Sequence, residues 1–226
     1  MSAPLPLDHP RKEGLSRDDF VVAPGNAVAL AMIEGWRAWP DGKLVLTGPS
    51  GSGKTHLAHV WAGMTGGRIV SARDLSGADI PALAAAPLAV EDVDRIAARE
   101  TEDALFHLHN LMRAERLPLL LTGARVVAAW PLTLPDLRSR LQGAQSAVLE
   151  SPDDTLLVAL LVKLFAERQL QVAPQVIDYL VKRMDRSFSA ARKVVADLDA
   201  ASLAERRAIT VRLAAEVLDK FPAPGS

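Results

Sequence analysis

The sequence contains no cysteine among its 226 residues. This excludes disulfide bonds and thiolate metal sites, and it suits a reducing compartment. An excess of positive charge is also missing, because 26 Lys and Arg residues balance 27 Asp and Glu residues to a formal net charge of -1. A protein that holds nucleic acid through phosphates alone carries a strongly basic surface, so any contact with DNA is expected to be indirect.

Long hydrophobic runs are absent as well. The longest ones, at residues 84–90 and 117–122, have the length of buried strands and are too short to cross a membrane. The N-terminus does not show the charged and then apolar pattern of a secretory signal. These absences predict a cytoplasmic protein without membrane contact. A hydrophobic content of 49% is enough for a substantial core, which favours one medium domain and a smaller second one.

The order of predicted elements divides the chain into four parts. Residues 1–19 are rich in proline and charge, which favours an extended, flexible arm. Residues 20–150 alternate apolar strands with helices, which is typical of an α/β domain with a parallel sheet. Residues 151–221 show only helical apolar spacing and are predicted to form a small all-α bundle, and residues 222–226 form a tail.

The expected element boundaries follow from apolar spacing and from turn residues. Strands are expected at 43–47, 68–71, 88–90 and 117–122. Helices of the α/β part are expected at 27–39 and 54–64, and those of the bundle at 153–168, 174–184, 188–203 and 210–220. The first bundle helix is expected to begin with a cap at Ser151 and Pro152 in its first turn.

A glycine-rich segment between a predicted strand and a predicted helix carries the strongest chemical signal. The segment consists of Gly48, Pro49, Ser50, Gly51, Ser52, Gly53, Lys54 and Thr55. Its glycines let backbone N–H groups point at phosphate oxygens, and the helix that follows adds its positive end. Lys54 is expected to reach the β- and γ-phosphates, and the Thr55 hydroxyl is expected to bind Mg²⁺. The segment therefore predicts a nucleotide site.

Carboxylates follow the predicted strand at 88–90. Glu91 is the candidate ligand of Mg²⁺, and Asp92 is the candidate for polarising the attacking water. The alternative is that both acids simply solvate the end of a strand. Thr122, which ends the strand at 117–122, is a candidate sensor of the γ-phosphate or the water, and the alternative is an ordinary turn residue. Two-residue spacing directs His107 and His109 to different helix faces, which disfavours a metal site.

Arginines close the set of candidate residues. Arg138 and Arg140 lie just before the helical part, where a planar guanidinium could reach the nucleotide of a neighbouring subunit or could face water. In the helical part, Arg183, Arg186 and Arg192 could cover the nucleotide or could likewise be solvated. Near the start of the α/β part, Phe20 and Val21 are expected to pack around adenine or in the core.

Several of these segments together resemble a known family. Asp19-Phe20-Val-Val, the glycine-rich segment with its extension through His56, the strand ending in Glu91-Asp92, and Ser139-Arg140-Leu141 look like the AAA+ module of the bacterial initiator DnaA. Residues 134–141, 180–186 and 198–210 are more similar still to the Hda family, the regulatory inactivators of DnaA. The resemblance spans roughly residues 18–221.

The resemblance implies an AAA+ core followed by an all-α lid, with ADP or ATP and Mg²⁺ as ligands. It implies a negative regulator of replication initiation that docks on the sliding clamp, the β subunit of DNA polymerase III, and meets DNA only through it. Arg140 is then an arginine finger that acts in trans on ATP bound to DnaA, which makes the protein more an activator than an enzyme. The resemblance also implies a replisome or nucleoid association and leaves monomer and homodimer open. The origin-binding domain of DnaA is expected to be missing.

Two positions depart from the family pattern. The clamp-binding peptide usually combines glutamine, leucine, a small residue, leucine, proline and leucine, whereas here only Leu5, Pro6 and Leu7 match. At the lid position called sensor 2 an arginine is usual, whereas this chain has Ser189 with Arg186 and Arg192 about one turn to either side. Two other functions remain open: a partner-independent P-loop ATPase, and a nucleotide-stabilised adaptor or DnaA-like loader.

Overall fold

The structure is a computed structural model that describes residues 15–220. The predicted clamp contacts Leu5, Pro6 and Leu7 lie outside the described residues. By its internal contacts the described chain separates into two compact units. The first comprises residues 15–49 and 53–150, and the second comprises residues 50–52 and 151–220.

The first unit is built on a sheet of five parallel strands. The strands are β1 Lys43–Thr47, β2 Arg68–Ser71, β3 Leu88–Glu91, β4 Leu119–Gly123 and β5 Ser146–Val148. They lie in the order β2-β3-β4-β1-β5, and every neighbouring pair is parallel. The helices are α1 Pro24–Glu34, α2 Lys54–Thr65, α3 Ile80–Leu83, α4 Arg99–Ala114 and α5 Pro135–Gln142. The predicted α/β fold with a parallel sheet is confirmed.

Helices cover both faces of this sheet because successive side chains of each strand point to opposite faces. On one face, Leu44 and Leu46 pack in a cluster with Trp61 of α2 and Ile33 of α1. On the other face, Val45 belongs to a second cluster, which includes Leu108 of α4. Strand β1 is therefore buried on both sides, which explains the apolar run at its centre.

The first helix begins and ends earlier than its predicted bounds of 27–39. It starts at Pro24, because proline fits the first turn of a helix and because the Asn26 side chain accepts a hydrogen bond from the N–H of Ala23 (2.8 Å). It ends at Glu34, where the N–H of Gly35 bonds to the carbonyl of Ala31. The prediction that the helix continues to Trp39 is therefore wrong.

The second unit contains four helices, which are α6 Asp154–Glu167, α7 Pro174–Val181, α8 Phe188–Glu205 and α9 Val211–Leu218. Helix α6 packs against α7 and α8, and α9 packs against the same two helices. The cap of α6 is Asp153, whose carboxylate accepts a hydrogen bond from the N–H of Leu156 (2.7 Å). Ser151 and Pro152 therefore precede the helix, contrary to the prediction. No helix within residues 15–220 is long and apolar enough to cross a membrane.

Candidate nucleotide site and arginine site

The glycine-rich segment lies where the carboxyl ends of the parallel strands meet. Strand β1 ends at Thr47, the N–H of Gly48 donates to the carbonyl of Gly123 at the end of β4 (3.2 Å), and α2 begins at Lys54. Gly53 has a φ of 103° in the left-handed region directly before α2. Such a conformation costs a glycine little, and it turns the backbone from the strand into the helix. The segment thus has the strand, turn and helix context of a phosphate-binding loop.

The ammonium group of Lys54 is held at this loop. Its Nζ donates to the carbonyl oxygens of Gly48 (2.6 Å) and Pro49 (2.8 Å), and the side chain is buried. Burial lowers the pKa of Lys54, while the nearby carboxylates of Asp92, Asp94 and Glu91 oppose the shift. An ammonium has three N–H donors, so the two bonds to the loop leave capacity for a phosphate oxygen.

The acidic end of β3 and the end of β4 lie together. Glu91 is the last residue of β3, and Asp92 follows it with a left-handed φ of 58°. The N–H of Asp92 donates to the buried hydroxyl of Thr122 (3.3 Å). The carboxylate of Asp92 also pairs with Arg95 (3.4 Å). Glu91, Asp92 and Thr122, selected from sequence, therefore share the edge of the sheet that carries the phosphate-binding loop.

Asp94 belongs to the same acidic cluster, although sequence reasoning gave it no role. Its side chain is 6% exposed, and Oδ1 has no hydrogen-bond partner among residues 15–220. Its Oδ2 lies 3.8 Å from Nε of Arg125. The only sequence signal was a third acid two positions after Asp92. Its burial depends on the turn after β3, which a linear motif does not describe.

The residues at this edge fit a nucleoside phosphate with Mg²⁺. Lys54 offers an ammonium, α2 offers the N–H groups of its first turn, and Thr55 offers an exposed hydroxyl in that turn. Carboxylate and hydroxyl oxygens are the ligands that Mg²⁺ prefers, which makes Thr55 and Glu91 its candidate ligands. When bound, the metal would neutralise charge on the phosphates. The chain's own part is to orient the phosphates through Lys54 and the loop.

The two residues predicted to lie near adenine are fixed by contacts inside the first unit. The buried ring of Phe20 meets the His56 ring edge to face, with 5.1 Å between ring centroids. Nε2 of His56 lies 2.8 Å from the carbonyl oxygen of Ser16, and the carbonyl of Val21 accepts a hydrogen bond from Asn26 (2.9 Å). His56 therefore connects the segment before α1 to helix α2.

Ser50, Gly51 and Ser52, the middle of the phosphate-binding loop, belong to the second unit. The carbonyl of Gly51 accepts a hydrogen bond from the N–H of Phe188 in α8 (2.9 Å). The hydroxyl of Ser52 is buried and has no hydrogen-bond partner within residues 15–220. In the same unit, Arg186 pairs with Asp154 on α6 (2.8 Å).

The position of sensor 2 lies at the start of α8. The Ser189 hydroxyl lies 3.1 Å from that of Ser187, which caps the helix. Arg192 is half-buried one turn further along α8. Ser189 therefore belongs to the first turn of α8, and the roles of Arg186 and Arg192 toward a nucleotide remain predictions.

Gly51 is expected to tolerate no side chain. Its φ is 75°, and a Cβ placed there would lie 2.3 Å from Cβ of Ser187, closer than atoms can approach. Gly51→Ala should therefore lower the free energy of unfolding by about 1–3 kcal/mol, the usual cost of a strained backbone with a steric conflict. Urea unfolding would measure the loss. Gly63→Ala is the control, because nothing lies within 4 Å of a Cβ at that helical position, and an equal loss in both variants would contradict the prediction.

Arg140 lies on α5 and is held by three side chains. One guanidinium nitrogen donates to Oδ1 of Asn110 on α4 (3.0 Å), and another pairs with Asp136 one turn earlier on α5 (2.8 Å). The guanidinium also lies 5.7 Å from the centre of the Phe106 ring. The Arg140 side chain is 32% exposed, so part of it faces solvent in a fixed geometry. Neighbouring Arg138 instead donates to the carbonyl of Leu132 before the helix.

Arg140 lies toward the amino edge of the sheet, opposite the phosphate-binding loop. Helix α5 ends at Gln142, and the carbonyl of Gln145 accepts a hydrogen bond from the N–H of Val45 (2.9 Å) where β5 begins. Lys43, the first residue of β1, is close enough for its pKa to be affected by the charge of Arg140. The five residues of β1 separate the two edges by about 13 Å at roughly 3.3 Å per residue.

Two buried basic side chains, Lys43 and His109, lie near Arg140. Nζ of Lys43 lies 2.8 Å from Nε2 of His109, the residue before Asn110, and both side chains are buried. Burial and the positive charge of Lys43 lower the pKa of His109 to about 4. The imidazole is therefore neutral at pH 7, and Nε2 accepts the bond from the lysine. Within residues 15–220 no group of three or more His, Cys, Asp and Glu side chains could hold a metal ion by itself.

This pair predicts an acid-sensitive stability. The pKa of His109 is about 4 in the folded chain, whereas unfolded histidine titrates at about 6.5, so between these values only the unfolded chain binds the proton. The free energy of unfolding should thus fall as pH drops from about 6.5 to about 4, by on the order of 3 kcal/mol. Urea unfolding at several pH values would measure it, with Lys43→Met/His109→Leu as comparison. The same pH slope in both proteins would contradict the role of His109.

Solved structures of other proteins share this fold. Domain III of the Thermotoga maritima replication initiation protein DnaA matches with a TM-score of 0.81 at 18% identity, over 96% of this chain and 100% of that domain. AMPPCP-bound DnaA from Aquifex aeolicus matches with a TM-score of 0.68 at 20% identity, over 82% of this chain and 64% of that one. The Thermotoga maritima RuvB branch migration motor matches with 0.70 at 19% identity, over 92% and 73% of the two chains.

The fold and the phosphate-binding loop together define an AAA+ protein with an α/β core and an all-α lid. Residues 153–218 match the family model described as Hda, lid domain. The chain therefore has the fold of the AAA+ domain of DnaA and a lid related to that of Hda, which confirms the resemblance predicted from the sequence.

Proposed function

We propose that this protein is a nucleotide-bound negative regulator of replication initiation that stimulates hydrolysis of ATP bound to DnaA. The relation to Hda through the lid and to DnaA through the fold supports a replication regulator as the class. ADP or ATP, with Mg²⁺, is the proposed ligand of the loop from Gly48 to Thr55. The corresponding location is the nucleoid, with which the soluble protein associates. The proposed partners are DnaA and the sliding clamp, with DNA reached through the clamp.

The placement of Arg140 is the observation that carries this proposal. A phosphate-binding loop and an arginine at opposite edges of one sheet cannot serve the same phosphate, because the length of β1 lies between them. The guanidinium is therefore presented outward, to a nucleotide held by another molecule. Its bonds to Asn110 and Asp136 fix it before any partner arrives, and a fixed donor of this kind stabilises the charge that develops on a transferred phosphoryl group.

The residues around the chain's own nucleotide have a different proposed role. Lys54 is proposed to orient the phosphates, Thr55 and Glu91 to bind Mg²⁺, and Asp92 and Thr122 to orient a water. In this scheme the bound nucleotide keeps the protein competent, and slow hydrolysis at this site is secondary. The same acids make a partner-independent ATPase the second candidate, because Asp92 and Thr122 are joined by a hydrogen bond at the edge that carries the loop.

The decisive experiment measures hydrolysis of ATP already bound to DnaA. The assay contains clamp loaded on DNA, and it is run with the full chain, with a chain lacking residues 1–8, and without either. Hydrolysis that depends on the full chain and on the loaded clamp supports the regulator. A different result would favour the partner-independent ATPase over the regulator. In that case the ADP-bound chain does not stimulate DnaA, and the chain hydrolyses free ATP by itself. If the shortened chain stimulates as well as the full one, the proposed clamp contact through Leu5, Pro6 and Leu7 is wrong.

A further inference from the structure

A buried carboxylate holds the start of the helix that carries Arg140. Glu102 lies near the start of α4 and is only 2% exposed. Its Oε1 accepts hydrogen bonds from the N–H groups of Thr133 (2.7 Å) and Leu134 (2.6 Å), and its Oε2 accepts one from the hydroxyl of Thr133 (2.6 Å). Burial alone raises the pKa of a carboxyl, but these bonds outweigh it and hold the pKa of Glu102 below its ordinary value. The group is therefore an ionised acceptor at neutral pH.

Helix α5 receives this cap from a different helix because it has no side-chain cap of its own. Its N-cap is Leu134, which has no side chain that can accept a hydrogen bond, and Pro135 follows in the first turn. The N–H groups at the start of a helix need acceptors, and a carboxylate there also interacts favourably with the helix dipole. Glu102 accepts hydrogen bonds from the N–H of this N-cap residue and from that of Thr133 directly before it, across 32 and 31 residues of sequence, and places its negative charge at the start of the helix.

Helix α4 thus contacts α5 near both of its ends. Glu102 and Asn110 are eight residues apart on α4, which is about 12 Å along a helix axis, and Leu134 and Arg140 are six residues apart, about 9 Å. Glu102 contacts Leu134, and Asn110 contacts Arg140. The two helices therefore run in similar directions, and α5 can neither slide nor rotate without breaking one of these contacts.

We propose that Glu102 is a positioning residue for Arg140, because it fixes the start of α5 on the same helix whose Asn110 holds the guanidinium. This inference rests on the proposed function of Arg140. Without the carboxylate, the start of α5 loses three hydrogen bonds and its two N–H groups lose their acceptor. A displacement of about 1 Å in a catalytic group costs on the order of a hundredfold in rate. The bond to Asn110 alone does not define the rotation of α5.

The test compares Glu102→Ala, Glu102→Gln and Glu100→Gln. Glu100 is an exposed acid on the same helical turn, so Glu100→Gln controls for the lost charge. The rate of hydrolysis of DnaA-bound ATP is measured against the concentration of each variant, together with its ADP affinity. We expect Glu102→Ala to lower the maximal rate at least tenfold while the half-saturating concentration and the ADP affinity stay within about twofold. Glu102→Gln keeps one acceptor oxygen and should be intermediate, at least threefold below Glu100→Gln.

Two results would overturn the inference. One is a maximal rate for both Glu102 variants equal to that of Glu100→Gln. The other is a parallel loss of ADP binding, half-saturation and maximal rate, which would mean a general structural role. If Glu102→Ala does not fold at the assay temperature, the comparison between Glu102→Gln and Glu100→Gln decides alone.

A second readout separates this inference from the proposed function. The side-chain Nε–H resonance of Arg140, assigned by its absence from Arg140→Ala, reports the surroundings of the guanidinium without DnaA. We expect it to shift or broaden in both Glu102 variants and to stay unchanged in Glu100→Gln. If the wild-type chain fails to stimulate DnaA, the proposed function is wrong, yet this shift would still establish that Glu102 positions Arg140. An unchanged resonance in Glu102→Ala would overturn the positioning role whatever DnaA does.

Discussion

An Arg140→Ala variant is expected to bind ADP like the wild-type chain and to lose nearly all stimulation of ATP hydrolysis on DnaA. Arginine fingers contribute roughly 10³- to 10⁵-fold to phosphoryl transfer, so the loss should be at least a hundredfold even if weak stimulation remains through clamp tethering. Nucleotide binding should be spared because Arg140 contacts Asn110, Asp136 and Phe106. The measurement is single-turnover hydrolysis of ATP bound to DnaA with loaded clamp present.

Two further variants make this prediction specific. Arg140→Lys keeps the charge but not the planar fork of donors, and it should restore less than a tenth of the lost rate. Arg113→Ala removes a positive charge from the last turn of α4, near the same edge, and should change the rate little. Equal losses of rate in Arg113→Ala and Arg140→Ala would mean that only the overall positive charge near this edge matters, and not a specific contact of Arg140. Full activity of Arg140→Ala would remove the arginine finger from the proposal.

The second large effect is expected at the opposite edge of the sheet. Lys54→Ala should lower the affinity for ADP and ATP by about 100-fold, because a charge-assisted contact to phosphate contributes roughly 1.5–3 kcal/mol and the bonds to Gly48 and Pro49 that organise the loop are lost with it. Titration with a fluorescent nucleotide measures the affinity, and the shift of the melting temperature by ADP checks it independently.

Lys43→Met is the matched control for Lys54→Ala. Lys43 is also a buried lysine, and it lies on β1, but its Nζ contacts His109 at the far end of that strand. Nucleotide affinity should therefore remain within about twofold of the wild-type value, well below the contribution of a direct charge-assisted bond. A similar loss in both variants would indicate that any buried lysine in this sheet stabilises the binding-competent fold. That outcome would leave the phosphate contact of Lys54 without support.

The sequence was sufficient to locate elements that consecutive residues form. The phosphate-binding loop follows β1 directly and opens α2, so the spacing of its glycines is enough to specify the turn. The same holds for the positions of Glu91, which ends β3, and of Asp92, which follows it. The four strands expected at 43–47, 68–71, 88–90 and 117–122 are present, and their bounds differ by at most two residues at either end.

Sequence reasoning failed where structure depends on distant residues. Strand β5 has only three residues, and the side chains of Ser146 and Val148 are exposed, so it carries almost no apolar pattern. It forms because β1 pairs with β4 on one side only, and the backbone groups on its other side pair with β5. The contacts of Arg140 with Asn110 and of Glu102 with Thr133 cross about 30 residues, and no local motif encodes them. Asp94 was missed for another reason: its burial results from the turn after β3, which a linear motif does not describe.

The phosphate-binding loop and Arg140 lie at opposite edges of the sheet, so the two ends of the core carry different chemical groups. In the proposed function, a molecule that offers Arg140 at one edge and holds a nucleotide at the other engages its neighbour head to tail, through two different surfaces. Such an arrangement has no two-fold axis between arginine and nucleotide, so one molecule completes one partner and leaves its own site for a third. If the proposed function holds, geometry also sets the stoichiometry of inactivation, because each bound copy then acts on a single initiator.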